Sequence, residues 1–148
     1  MVHFRKNALS WRMKPHQLSR VVSRAKPKRH PLQQRLIAFA VLVCRTTAPM
    51  AKDYASAHVV HQLVRSCTSV PANYAEARSS VSRQDFIHRM TVCLKELRET
   101  DVWLQILEGL KDGDDRCAKL VCECDELTAI FVSSVQTAKG KRNARTFE

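Results

Sequence analysis

The chain has 148 residues, 45% of them hydrophobic and 26% charged, a composition expected of a soluble globular protein with room for one domain and a tail. Only three glycines occur, Gly109, Gly113 and Gly140, all late in the chain, which excludes a turn-rich all-β architecture, and the longest apolar run, Leu36 to Cys44, is too short to cross a bilayer. The formal charge of +11 is unevenly placed: up to Lys52 twelve Lys or Arg face no acid, whereas from Asp53 onward thirteen meet fourteen Asp or Glu. The excess therefore belongs to the amino-terminal part, and a basic tail on a neutral body attracts polyanions without a shaped site.

Residues 1–31 contain Pro15, Pro27 and Pro31 among scattered cations, with no apolar period beyond a weak patch at Val21 and Val22. This composition predicts a basic, disordered extension. It equally fits an organellar transit peptide, or a chain whose translation starts further in, for example at Met13.

From Leu32 apolar residues recur at helical spacing. A first helix is expected over about 32–46, with Leu32, Leu36, Phe39, Leu42 and Val43 on one stripe and Ala48-Pro49 ending it. A second is expected from near Ala51 to about Arg78, its stripe formed by Tyr54, Ala57, Leu63, Val64, Cys67, Val70, Tyr74 and Ala77. Pro71 falls inside that stripe and predicts a kink or short break, because it removes a hydrogen bond to the Cys67 carbonyl.

Ser82, with Asp85 three residues on, is a start signal for a third helix carrying Phe86, Met90, Cys93, Leu97, Leu104 and Leu107 on one face. A turn is expected over 109–115. A fourth helix follows, with Cys117, Leu120, Val121, Cys124, Leu127, Phe131, Val135 and Ala138 facing inward and Gly140 as its terminator.

Four amphipathic helices with short connections predict an all-α, up-and-down antiparallel four-helix bundle over 32–141, followed by a tail over 142–148. Helices two and three are expected to be longer than helices one and four, leaving surface to cover. Val102 and Trp103 extend the apolar character of helix three beyond one stripe, and a second copy of the chain is the expected cover.

Residues 62–66 (Gln-Leu-Val-Arg-Ser) and 69–77 (Ser-Val-Pro-Ala-Asn-Tyr-Ala-Glu-Ala) resemble the second helix of the four-helix-bundle proteins encoded in bacterial 23S ribosomal RNA intervening sequences. Residues 85–88 (Asp-Phe-Ile-His), 94–100 (Leu-Lys-Glu-Leu-Arg-Glu-Thr) and Trp103-Leu104 resemble that family's third helix at the matching distance. The resemblance spans about 39–141. It implies a bacterial, cytoplasmic, ring-like homopentamer. It also implies kinship with the accessory variability determinant of diversity-generating retroelements, which binds nucleic acid and a reverse transcriptase. Its motif residues Arg65, Ser69, Asn73, Glu76, Glu96, Glu99 and Trp103 are the expected structural and interface positions. Ala77 stands where many members have glycine, Cys67 replaces a frequent small residue, and the extension before Leu32 is atypical.

Arg65, Ser69, Asn73 and Glu76 share one helix face at spacings of four, four and three. They form either a polar ligand or RNA contact, or a hydrogen-bonded cluster that satisfies backbone freed by Pro71 and bridges helices or subunits; the second reading is preferred. His58 and His61 are three apart, but no Glu-x-x-His motif accompanies them, so no metal is expected. The six cysteines, Cys44, Cys67, Cys93, Cys117, Cys122 and Cys124, read as reduced thiols, mostly on apolar faces.

Ser, Cys and His lack any nucleophile elbow, phosphate loop or paired-acid motif to position them, so neither catalysis, a cofactor nor a small-molecule substrate is expected. In the tail, Arg5, Lys6, Arg12, Lys14, Arg20, Arg24, Lys26, Lys28 and Arg29 are candidate nucleic-acid contacts. Lys139, Lys141, Arg142 and Arg145 either assist them or simply suit a helix C-terminus. Two functions follow from the sequence: a homo-oligomeric module associated with RNA or a nucleoprotein, or a structural adaptor with protein partners only.

Overall fold

A computed structural model describes residues 30–110 and 115–140, which form an all-α, four-helix bundle. The basic extension, with its nine candidate nucleic-acid contacts, and the carboxy-terminal tail lie outside the described residues. Helix α1 covers Pro31–Thr47, α2 Tyr54–Ala77, α3 Arg83–Leu110 and α4 Asp115–Ala138, and a single 3₁₀ turn, Ala48–Met50, separates α1 from α2. Each helix packs against its neighbours in chain order and α4 closes back onto α1. Among the described residues the backbones of the diagonal pairs α1/α3 and α2/α4 do not approach closely, and α2 and α4 meet through side chains in the core.

Local chemistry accounts for the helix ends. Pro31 opens α1, where its fixed φ suits the first turn and its missing N–H costs nothing. Asp53 caps α2: one carboxylate oxygen accepts the Ser56 backbone N–H at 2.9 Å and the other accepts the Ser56 hydroxyl at 2.8 Å. The Ser82 hydroxyl accepts the Asp85 N–H at 3.1 Å and starts α3 as the sequence implied. Gly140 ends α4 with φ +76°, the left-handed conformation expected of it, and the Arg83 side chain donates to the Ala138 carbonyl at 2.8 Å.

The core contains Leu36, Phe39 and Val43 from α1, Leu63, Cys67, Val70 and Tyr74 from α2, Met90, Cys93, Leu97, Leu104 and Leu107 from α3, and Leu120, Cys124, Leu127 and Phe131 from α4. Tyr74 and Phe131 meet edge to face at 5.7 Å, an aromatic contact across the bundle interior. Two hydroxyls are fully buried between α2 and α3, where Ser66 and Thr100 lie 3.0 Å apart and each also bonds a carbonyl of its own helix.

Several expectations change. Helix α2 begins at Tyr54 rather than near Ala51, because Asp53 supplies the cap, and Tyr54, placed on the apolar stripe, is 90% exposed at the first turn. Leu42 is also exposed, lying on α1 away from the core. The turn expected at Gly109 starts later, since α3 continues through Gly109 to Leu110. Helix α4, at 24 residues, equals α2, so the length imbalance expected between helices two and four is absent.

No break occurs at Pro71, and α2 runs unbroken through it. One missing hydrogen bond in a 24-residue helix leaves the other bonds intact, and Gln33 of α1 donates to the Pro71 carbonyl at 2.9 Å. Among the described residues no helix is long and apolar enough to cross a membrane.

Candidate interaction surface

The α2–α3 edge gathers polar side chains because both helices place a second, half-polar stripe beside their core stripe. Along it the seven motif residues assemble in three groups. Toward the N-terminal half of α2, Arg65 donates to Glu99 at 2.9 Å, and Glu99 also accepts the Trp103 indole N–H at 3.3 Å. The Trp103 ring packs against the bundle core and meets His58 edge-on at 6.1 Å, which accounts for His58 as an aromatic neighbour.

In the middle, the Asn73 amide donates to the Ser69 carbonyl at 3.0 Å and to the Ser69 hydroxyl at 2.9 Å. Glu96 faces this pair from α3. Burial holds its carboxyl above the ordinary carboxylate range, and the neighbouring Glu99 charge pushes the same way, while Arg65 and the Ser69 hydroxyl oppose them. Toward the far end Glu76 pairs with Arg89, which also lies 3.8 Å from Asp85 one turn earlier on its own helix.

This region, read from sequence as one cluster on one helix face, is thus a ladder of cross-helix pairs. Asn73 bonds Ser69 and not the Cys67 carbonyl that Pro71 frees, so its expected service to the proline does not hold.

The ladder residues lie on the two helices that carry the recognised motifs. A family model described as 23S rRNA-intervening sequence protein matches residues 29–133. The chain belongs to the 23S rRNA-intervening sequence protein family. Among solved structures it is similar to a protein of unknown function from the S23 ribosomal protein family of Bacteroides thetaiotaomicron. The two share 26% identity and a TM-score of 0.64, over 71% of this chain and 98% of that one. No curated protein matches.

Within this family framework the ladder has a defined place. It binds the two most extensively packed helices of the intervening-sequence-protein bundle along their solvent edge. Arg65 and Glu76 keep more than half of their side chains accessible, so the ladder still presents charge outward.

Two features were not anticipated. Arg35 of α1 forms a fork with Glu123 of α4 at 2.7 and 3.0 Å and also reaches Glu126, which joins the two helices that pack least tightly. On the outer face of α3, Val102, Ile106 and Leu110 form an exposed apolar strip at spacings of four. The strip includes Val102, already singled out, but its extension to Leu110 emerges only because α3 continues past Gly109. Among the described residues no group of three or more His, Cys, Asp or Glu is arranged to hold a metal ion.

Proposed function

We propose that this intervening-sequence family protein is a non-enzymatic, cytoplasmic, homo-oligomeric module that associates with RNA or a nucleoprotein complex. The observation that carries the self-association is the strip of Val102, Ile106 and Leu110. These are large apolar side chains on the side of α3 turned away from its own core, and such a strip is stable in water when another surface covers it. Ala38 and Leu42 on the outer side of α1, diagonal to α3, form a second exposed apolar face.

Joining α3 of one copy to α1 of the next is a heterologous contact, and repeated heterologous contacts form a ring when the rotation between copies closes and an open filament when it does not. A closed ring accords with the pentamer implied by the family resemblance. Kinship with the retroelement accessory determinant belongs to the same reading. RNA association rests on the family name and on the acid-free basic segment, whose nine cations would release counterions from a polyanion.

Native mass spectrometry combined with RNA filter binding tests the proposal. A discrete oligomer that retains RNA at low salt, and loses it steeply as salt rises, is the expected result. A monomer would refute the assembly. An oligomer indifferent to RNA at every salt concentration would favour the adaptor with protein partners only.

A further inference from the structure

Two thiols without a role in the function proposed above meet across the seam between α1 and α2. Cys67 of α2 is fully buried, donates to the Val64 carbonyl at 3.4 Å, and its side chain also contacts the Cys44 thiol of α1. Cys44 is only partly buried, because it stands in the wall of an open groove formed with Ile37, Ala40 and Val41 of α1 and with Thr68 and Pro71 of α2. Solvent therefore reaches one thiol of the pair and not the other. The seam also suits a covalent link. Packed helices with axes about 8–10 Å apart bring facing Cα atoms to roughly 3.5–5.5 Å, and atoms beside the contact line slightly farther, which overlaps the ~4.4–6.8 Å that a disulfide spans.

We propose that Cys44 and Cys67 form an oxidative modification site, at which a peroxide converts the two thiols into a disulfide that joins α1 to α2. The accessible Cys44 sulfur, as thiolate, attacks one peroxide oxygen; the O–O bond breaks, hydroxide leaves and Cys44 becomes a sulfenic acid. The Cys67 sulfur then attacks the sulfenic sulfur, the S–S bond forms, and the hydroxyl departs with the Cys67 proton as water. Two thiols lose two electrons, the peroxide gains them, and two waters result. The order of the steps follows from the surroundings. Burial pushes the Cys67 thiol up to about 12, so at neutral pH Cys67 stays protonated and is suited to resolve the sulfenic acid and not to begin the reaction.

Cys67 has a second thiol neighbour, Cys124 of α4, but that thiol is itself fully buried and donates to the Leu97 carbonyl at 3.4 Å. A peroxide has no comparable route to it. The link between Cys44 and Cys67 fixes α1, whose packing against α4 is the least extensive of the neighbouring pairs, from its α2 side. In a reducing compartment such a bond is transient, formed under oxidant and undone by thiol exchange. The site goes beyond the functional reading above and needs neither RNA nor a second copy.

Peptide mapping of the full-length protein tests it, since trypsin leaves Cys44 in the peptide 36–45 and Cys67 in the peptide 66–78, each as its only cysteine. After brief treatment with hydrogen peroxide and blocking of the remaining thiols with N-ethylmaleimide, these two peptides are expected to be joined, to separate on reduction, and to be joined within one chain when light and heavy isotope-labelled protein are mixed. In Cys67→Ala, dimedone should trap the Cys44 sulfenic acid several-fold more than in the wild type, because the resolving thiol is gone. In Cys44→Ala, where only a partly buried side chain is shortened, Cys67 should stay reduced under the same treatment. A link from Cys67 to Cys124, a Cys44 link between chains, oxidation of Cys67 in Cys44→Ala, or wild-type Cys44 that ends unlinked, whether untouched or as sulfinic acid, each overturns the assignment.

Discussion

Three cysteines of the core make stability unusually sensitive to alkali. Burial holds the thiols of Cys67, Cys93 and Cys124 at about 12, against an ordinary value of 9.0. Cys44, Asp101 and Asp125 add smaller upward contributions to Cys67 and Cys124. A folded-state pKa above the unfolded one means that the native protein retains protons which the unfolded chain releases. The stabilising contribution is complete below pH 9 and is lost progressively as pH rises toward 12.

At pH 10 each unfolded thiol is about one pH unit past its own pKa, worth about 1.4 kcal/mol, so three thiols together cost about 4 kcal/mol. That is a large share of the ~5–15 kcal/mol typical of a domain. Urea denaturation followed by circular dichroism, at pH 8 and pH 10 under reducing conditions, measures it. The variant C67A/C93A/C124A should begin less stable, from lost packing, yet show a pH loss smaller than the wild type by about 4 kcal/mol. Lysine and tyrosine titrations are common to both proteins and cancel. Equal pH losses in the two proteins would refute the assignment of buried, protonated thiols.

Glu96 is, like the thiols, an acid that is neutral when protonated, and its raised pKa gives the same sign of linkage. Because burial raises its folded pKa, Glu96→Gln should gain stability relative to the wild type as pH rises from the acid side through that pKa to neutrality, and an unchanged difference across the range would contradict it. Ile106→Glu should leave the circular dichroism of the fold intact while shifting sedimentation to a smaller species, because it places a charge in the proposed interface of α3. Gly140→Ala should cost about 1 kcal/mol in thermal or chemical unfolding. The left-handed backbone is the cause, since an added Cβ would only reach ordinary contact with the Arg83 guanidinium at 3.4 Å.

Much of the bundle was legible because helical periodicity is a local signal. Leu36, Phe39 and Val43, or Leu120, Cys124, Leu127 and Phe131, declare their inward faces without knowledge of their partners, and Ser82 and Gly140 declare two ends through their own chemistry. The misplaced positions had the right residue type in the wrong place. Tyr54 continues the apolar stripe of α2 in sequence but stands at the first turn, where no neighbouring helix reaches it. The signal that would have corrected it was Asp53 followed by Ser56, a cap pair that sets the start three residues later.

The cross-helix pairs were less accessible to sequence reasoning. Arg35 meets Glu123 across 88 positions and Arg65 meets Glu99 across 34, and charge patterning within one helix says nothing about such distances. The motif residues were identified because two motifs stood in register, yet their division into three bonded groups depends on the rotation of α2 against α3. The extent of the α3 strip was hidden by Gly109, which reads as a turn residue but sits inside the helix, with open space beside it.

The central claim is that this bundle works as an assembly of identical copies, and its native mass tests that most directly. The chain has a mass of 16.9 kDa, so the account predicts one dominant species near five times that value, about 85 kDa. Ile106→Glu should reduce this species to smaller ones. A wild-type protein that remains at 16.9 kDa at micromolar concentration would contradict it.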